Sequence, residues 1–414
     1  MNRKSAFPLI IISIIFAFLL MMSSNMNSIL SIHGVNSVLS KFQARLIENE
    51  IDPIFVESEI SSTPPSDRSI PRLAYLISGS KGDLEQLWRT LHALYHPLNQ
   101  YVVHLDLESS AVERLELATR VEREPIFSKV GNVHMNTRAN MVTYRGPTMI
   151  ANTLQSSGLL LNKSKEWDWF INLSASDYPL VTQEDILYAF SYLPRNLNFI
   201  EHTSRLGWKE NERAKPLIVD PGLYMSKKTD IFWVTQRREV PTAFKLFTGS
   251  AWMVQSRAFV EYCVWGWDNL PRTILMYYTN FLSSPESYFQ TVICNAPEFA
   301  QTAINHDLHY ISWDVPPRQH PHTLGVKDMA KMIRSKAPFA RKFNQSDPVL
   351  DMIDATLLGR RNGSFTPGGW CTGDPPCSGT RESYRLLPGP GALRLASLMD
   401  RMVRSGLYIQ HQCK

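Results

Sequence analysis

Pro71-Arg72-Leu73-Ala74-Tyr75-Leu76-Ile77-Ser78-Gly79 is the stretch that decides the fold. It reads as a hydrophobic strand that ends in the small polar turn Ser78-Gly79-Ser80. Leu84, Leu87, Trp88, Leu91 and Leu94 then recur at helical spacing until Pro97 stops the pattern. Tyr101-Val102-Val103-His104-Leu105-Asp106 follows as a second strand ending in a carboxylate. Strand, helix and strand with polar residues at both carboxyl ends is how an open parallel sheet builds a ligand site. The fold class is therefore α/β, an open mixed and mostly parallel sheet flanked by helices. Asp106 either accepts a hydrogen bond from a ligand or caps the next helix.

Further along, Val130 to Val133 is a candidate third strand, and a helix is expected from Thr148 to Leu161 after Val142-Thr143-Tyr144-Arg145-Gly146-Pro147. An aromatic such as Tyr144 in that turn is suited to stacking on a base, or simply packs. Trp167-Asp168-Trp169-Phe170-Ile171-Asn172-Leu173 is a buried strand running into Ser174-Ala175-Ser176-Asp177, a polar turn with one carboxylate. Glu201, and then Trp208-Lys209-Glu210-Asn211-Glu212-Arg213, read as an exposed polar loop. The carboxylate, cations and aromatic there are the groups that hold a sugar, and equally those of a solvated loop with ion pairs. Leu246-Phe247-Thr248-Gly249-Ser250-Ala251-Trp252 and, about thirty residues on, Ser284-Pro285-Glu286-Ser287-Tyr288-Phe289 put a small-residue turn, an aromatic and one carboxylate within reach of each other.

Over roughly residues 70 to 370 these motifs resemble glycosyltransferase family 14, which holds core-2 branching N-acetylglucosaminyltransferases, peptide xylosyltransferases and plant arabinogalactan glucuronosyltransferases. The resemblance implies a GT-A-like domain that binds a UDP-sugar. On that basis Ser78, Asp106, Tyr144, Asp177, Arg318 and Lys342 are donor-binding candidates. Lys342 stands in Phe339-Ala340-Arg341-Lys342-Phe343, which is similar to the family's diphosphate-lysine motif. Arg318 fits the partnering arginine loosely, and Arg341 is its rival. Glu201, Trp208, Lys209, Arg213, Gly249, Ser250 and Trp252 are the acceptor-binding candidates.

Inverting transfer needs a base, and a Glu in a semi-enclosed pocket suits it because burial raises its pKa toward the working pH. Glu286 is assigned that part. Core-2 members read Ser-Pro-Asp-Glu, so an ungapped match sets their Glu against Ser287; the xylosyltransferase and plant branches place Glu where Glu286 stands. Metal-dependent GT-A enzymes keep an Asp-x-Asp pair where this chain has Asp177 alone. The resemblance to the core-2 branch implies no metal and no cofactor beyond the donor itself, with fixed cations neutralising the departing diphosphate.

At the amino end Arg3 and Lys4 precede an apolar run from Ala6 to Met22. This reads as a single-pass signal anchor, the alternative being a cleaved signal peptide, with residues 1–5 cytosolic, 23–69 a stem, 70–365 the lumenal catalytic domain and 366–414 a disulfide-bearing extension. A net charge of +5 spread along the chain argues against nucleic-acid binding. Five cysteines fit a lumenal compartment. Cys371 is expected to pair with Cys377, or one of them with Cys413, leaving Cys263 and Cys294 reduced or joined to each other. Sequons stand at Asn162, Asn344 and Asn362, and at Asn172, which is too buried in its strand for glycosylation.

Gly368-Gly369-Trp370-Cys371 and Pro388-Gly389-Pro390-Gly391 are similar to landmarks of the plant branch. The resemblance thus implies a Golgi membrane enzyme moving glucuronic acid from UDP-glucuronic acid to β-galactan chains of arabinogalactan proteins. An N-acetylglucosaminyl or xylosyl donor, or a non-catalytic glycan-binding member, is the alternative. A glycoside hydrolase is disfavoured because only one convincing carboxylate is in view.

Overall fold

The computed structural model describes residues 70–136, 139–224, 230–316, 320–371, 377, 386–403 and 407–414. The apolar run 6–22 and the stem lie outside the described residues. Among the described residues, no helix is long and apolar enough to cross a membrane.

The strands are β1 (Leu73–Gly79), β2 (Gln100–Leu105), β3 (Val133–Met135), β4 (Trp169–Ser174), β5 (Tyr178–Pro179) and β6 (Asn198–Ile200). They continue with β7 (Pro216–Val219), β8 (Phe232–Arg237), β9 (Met253–Ser256), β10 (Ala303–Ile304), β11 (His309–Ile311) and β12 (Phe339–Arg341). Seven of them form one sheet in the order β10-β6-β9-β4-β1-β2-β3. β1 runs parallel to both β2 and β4, while β9 lies antiparallel to β4 and β6. The sheet is thus mixed and mostly parallel. Leu73 to Ile77 are all buried, because the central strand of such a sheet is covered on both faces and must be apolar throughout.

The chain steps from β1 outward through β2 and β3, then returns to lay β4 on the other side of β1. That reversal opens a crevice at the carboxyl ends of β1 and β4, where open α/β sheets bind ligands. The third strand starts at Val133, later than the expected Val130. Pro125 opens a short helix over Pro125–Val130 and Gly131, at φ 71°, ends it, so strand geometry begins only after the left-handed residue. A second sheet, β11-β12-β5, sets the end of β12 against the turn before β5. β7 and β8 form a separate antiparallel ribbon.

The carboxyl-terminal segment is built into the domain rather than appended to it. Trp370 is buried, with its ring 5.4 Å from that of Tyr95 and 5.9 Å from that of Phe365. The carboxylates of Glu184 and Asp185 accept from the backbone N–H groups of Gly369 (2.6 Å) and Gly389 (2.7 Å). Helix Pro390–Val403 packs on helix Gln183–Ser191. The sulfurs of Cys371 and Cys377 are bonded.

Cys294 departs from expectation. It is bonded to Cys413 across 119 residues, with Cα atoms 5.2 Å apart, and Cys263 is a buried free thiol. The chain end returns to the domain through three hydrogen bonds. Ser204 N donates to Lys414 O (2.9 Å), Cys413 N to His202 Nε2 (2.8 Å), and Gln412 Nε2 to Ala303 O (2.9 Å). Non-reducing peptide mapping should recover Cys294–Cys413 and Cys371–Cys377, with Cys263 alkylated only after denaturation. Cys413→Ser should lower stability by on the order of 2–5 kcal/mol, since this bridge closes a long loop.

Candidate active site

The tips of β1, β2 and β4 face a cleft of about 560 Å³ lined by Ser78, Gly79, Ser80, His104, Asp106 and Ser174 among others. A Cβ at Gly79 would stand 2.9 Å from Asp83 Cβ and 3.0 Å from Leu105 Cδ2, so only glycine lets the strand tip and the following helix meet. Asp106 is buried, and its Oδ1 accepts from Ser80 Oγ (3.0 Å) and Glu108 N (2.9 Å). Burial pushes its carboxyl up to about 6, against the lowering effect of those hydrogen bonds. Two residues the sequence reading left aside also line this cleft. Neither ring nitrogen of buried His104 nor Asn152 Oδ1 has a hydrogen-bond partner among the described residues. Burial lowers His104 to about 4, so its imidazole is neutral. Unpaired buried polar atoms in a cleft mark where a polar ligand completes the hydrogen bonding.

Lys342 and Arg341 line the same cleft. Arg318 lies outside the described residues, and its rival is the cleft residue Arg341. Its guanidinium sits 3.9 Å from the Trp252 ring centroid, and its Nη1 is 3.1 Å from Asp177 Oδ1. Two expectations change here. Asp177 is fully buried, accepting from Ser174 N (2.5 Å) and Ser174 Oγ (2.9 Å), and it holds Arg341 in place instead of facing a ligand. Trp252, expected on the acceptor side, backs Arg341 in the donor cleft.

Tyr144 links this cleft to the cluster around Glu286. It lines the cleft, and its hydroxyl donates to Glu286 Oε1 at 3.0 Å. Enclosure, and after it the Glu286 carboxylate, holds the Tyr144 phenol above its ordinary value, so it remains a donor. Glu286 Oε2 receives Lys209 Nζ at 3.0 Å and also Arg213 Nη1. Lys209 further donates to Thr248 Oγ1 (3.1 Å), and Arg213 lies 5.1 Å from the ring centre of the exposed Trp208. The expected loop is here a π-helical turn over Glu210–Ala214, which places Lys209 and Arg213 on one carboxylate. Ser287, the other candidate position for the base, is buried.

Glu201 stands beside this cluster. Its carboxyl is pushed up to about 7, first by enclosure and then by the Asp307 carboxylate, although its outer edge still meets solvent. Gly249 is a clasp more than a contact: its N–H donates to Glu286 O at 2.7 Å, and a Cβ there would fall 1.8 Å from Glu201 O. Ser250 O accepts from Gln290 Nε2, so its carbonyl serves the fold. Asn162, Asn344 and Asn362 are exposed, whereas Asn172 is buried in β4 and bonded through its side chain to Ala251 O (2.9 Å) and Met253 N (3.0 Å).

Residues 73–333 match the sequence profile of the Core-2/I-Branching enzyme family. The chain belongs to that family. It is 57% identical over 418 residues to Beta-glucuronosyltransferase GlcAT14A of Arabidopsis thaliana, covering 99% of this chain and 92% of that protein. Identity to Beta-glucuronosyltransferase GlcAT14B of the same plant is 55%, over 100% of this chain and 96% of that one. Xylosyltransferase 2 of Homo sapiens is 27% identical over 82% of this chain and 40% of its own length. The matched residues include the β1, β2 and β4 tips of the cleft and the Glu286 cluster, whereas Arg341 and Lys342 lie beyond them.

Asp106 gives a prediction with opposite signs in stability and binding. Its folded value near 6 exceeds the unfolded value near 4, so the free protein loses stability as pH rises from about 4 through 6. Asp106→Asn should therefore gain up to about 3 kcal/mol relative to the parent at pH 7.5 and little at pH 4. UDP affinity, measured by calorimetry on the same protein, should fall. Gly249→Ala should lose several kcal/mol, on the order of a severe core clash, as read from its denaturation midpoint.

Proposed function

We propose that this chain is an inverting β-glucuronosyltransferase with a GT-A-like catalytic domain, taking glucuronic acid from UDP-glucuronic acid to β-galactan chains of arabinogalactan proteins. The near full-length identity to two β-glucuronosyltransferases supports the donor. The observation that carries the mechanism is Tyr144, which lines the nucleotide cleft and hydrogen-bonds Glu286. A sugar attached to a nucleotide in that cleft would present its anomeric carbon near the carboxylate.

In this scheme the UDP moiety occupies the tips of β1 and β2, with Asp106 accepting from a uracil N–H or ribose hydroxyl and His104 and Asn152 gaining partners. An acceptor hydroxyl approaches Glu286, which takes its proton as the oxygen lone pair attacks C1. The C1–O bond to the diphosphate breaks on the opposite face, its electron pair leaving with UDP, and the configuration inverts. Lys342, aided by Arg341, neutralises the charge that develops on the departing diphosphate. Lys209, Arg213, Glu201 and Trp208 surround the acceptor sugar.

The donor set favours a metal-free reaction. Asp177, the one carboxylate of the turn, is buried and committed to Ser174 and Arg341. The apolar run at residues 6–22 and the two disulfides suit a Golgi membrane protein with a lumenal catalytic domain.

Glu286→Gln should lower the transfer rate by more than tenfold while UDP-glucuronic acid affinity stays within about twofold, because the amide keeps the shape but cannot take the proton. Retention of a tenth of the rate would contradict the assignment. Lys342→Ala should weaken UDP binding and slow transfer, with neither loss restored by manganese. Chelator-sensitive transfer by the parent would contradict the metal-free scheme.

A further inference from the structure

A glucuronosyl donor carries one more negative charge than its glucosyl or xylosyl counterpart, and that carboxylate needs a cation the diphosphate does not use. Lys342 and Arg341 face the departing diphosphate in the scheme above, and Arg341 is further committed to Asp177 and Trp252. Lys209 and Arg213 are bonded to Glu286. Arg145 is differently placed. Its Nη1 lies 2.7 Å from Asp230 Oδ1, and Asp230 itself lines the cleft.

The backbone of Arg145 is held at both its N–H and its carbonyl, while its side chain is held by Asp230 alone among the hydrogen bonds of the described residues. Its N–H donates to Thr143 Oγ1 (3.2 Å) and its carbonyl accepts from Ser283 N (2.8 Å), the residue that leads into the Ser284–Glu286 turn. Tyr144, the preceding residue, touches Glu286. Arg145 is thus anchored beside the place where the transferred sugar must lie. The side chains of Arg145 and Asp230 are 44% and 64% exposed, and an ion pair so open to water contributes about 0–1 kcal/mol. Exchange of one carboxylate for another therefore costs little.

We propose that Arg145 reads the C6 carboxylate of the donor sugar, releasing Asp230 when a uronic acid enters the cleft. The guanidinium fork suits two parallel hydrogen bonds to a carboxylate. Asp230 holds the guanidinium in the place that carboxylate would take. A neutral sugar gives Arg145 no reason to leave Asp230, so the exchange selects uronic acids. The inference rests on the glucuronosyl reading of the preceding section.

The test compares Arg145→Gln, Arg145→Lys and Asp230→Asn in the full chain, measuring binding of UDP, UDP-glucose, UDP-xylose and UDP-glucuronic acid together with transfer. Loss of a charge-assisted hydrogen bond predicts a roughly 10- to 100-fold drop in UDP-glucuronic acid affinity for Arg145→Gln. UDP, UDP-glucose and UDP-xylose should bind within about twofold of the parent, which also shows that the variant is folded. Arg145→Lys should recover part of the loss. Asp230→Asn should bind UDP-glucuronic acid at least as tightly as the parent. An equal drop for all four ligands would assign Arg145 to the diphosphate or to the fold and overturn the proposal, as would unchanged UDP-glucuronic acid binding. Failure of the parent to transfer glucuronic acid would instead overturn the glucuronosyl reading, and the binding comparison would still decide whether Arg145 discriminates the carboxylate.

Discussion

Glu286 is held at both ends, and the site is organised around that fact. Its backbone carbonyl receives Gly249 N–H, while its carboxylate receives Lys209, Arg213 and Tyr144. The four partners come from distant parts of the chain: the turn before helix Thr148–Lys163, the π-helical turn and the small-residue turn at Gly249. Removing the carboxylate would leave two partly buried cations facing each other, an arrangement that repels. The same charge that is proposed to take the acceptor proton therefore also keeps the nucleotide and acceptor sides in register.

The cleft at the tips of β1, β2 and β4 is polar at the expense of the free protein's stability. Asp106 is buried with its carboxyl raised, and His104 and Asn152 leave polar atoms unpaired there among the described residues. Each is more comfortable with a ligand than without one, the usual sign of a site kept ready for binding. Arg341 shows the complementary arrangement. A partly buried cation is tolerable because Asp177 neutralises it and Trp252 covers its face, leaving the guanidinium fixed beside Lys342.

Much of this was legible in the sequence because it is local. The β1 and β2 strands declare themselves through apolar runs ending in Ser78-Gly79 and Asp106, and the Ser-Pro-Glu turn marks Glu286 through proline and a lone carboxylate. What escaped depends on contacts between segments far apart in the chain. Asp177 looks like a ligand in its own turn, and only the pairing of β5 with β12 reveals that Arg341 occupies it. Trp252 adjoins the acceptor turn in sequence, yet its ring lies under Arg341. Short-loop closure favoured Cys371 and Cys377, but it left Cys294 reduced or joined to Cys263, whereas its partner is Cys413, 119 residues away. His104 sat inside a quoted strand without attracting notice, because alternation along a strand does not tell a packed histidine from one that faces a cleft.

The proposal that Glu286 works as a base for a single inverting displacement is tested most directly by replacing it with alanine and supplying azide, an anion that needs no deprotonation. The expected result is that Glu286→Ala no longer glucuronosylates galactan. With azide it should again consume UDP-glucuronic acid, releasing UDP and a β-configured glucuronosyl azide identified by the coupling of its anomeric proton in NMR. Undiminished galactan transfer by Glu286→Ala, or an α-configured azide product, would contradict it.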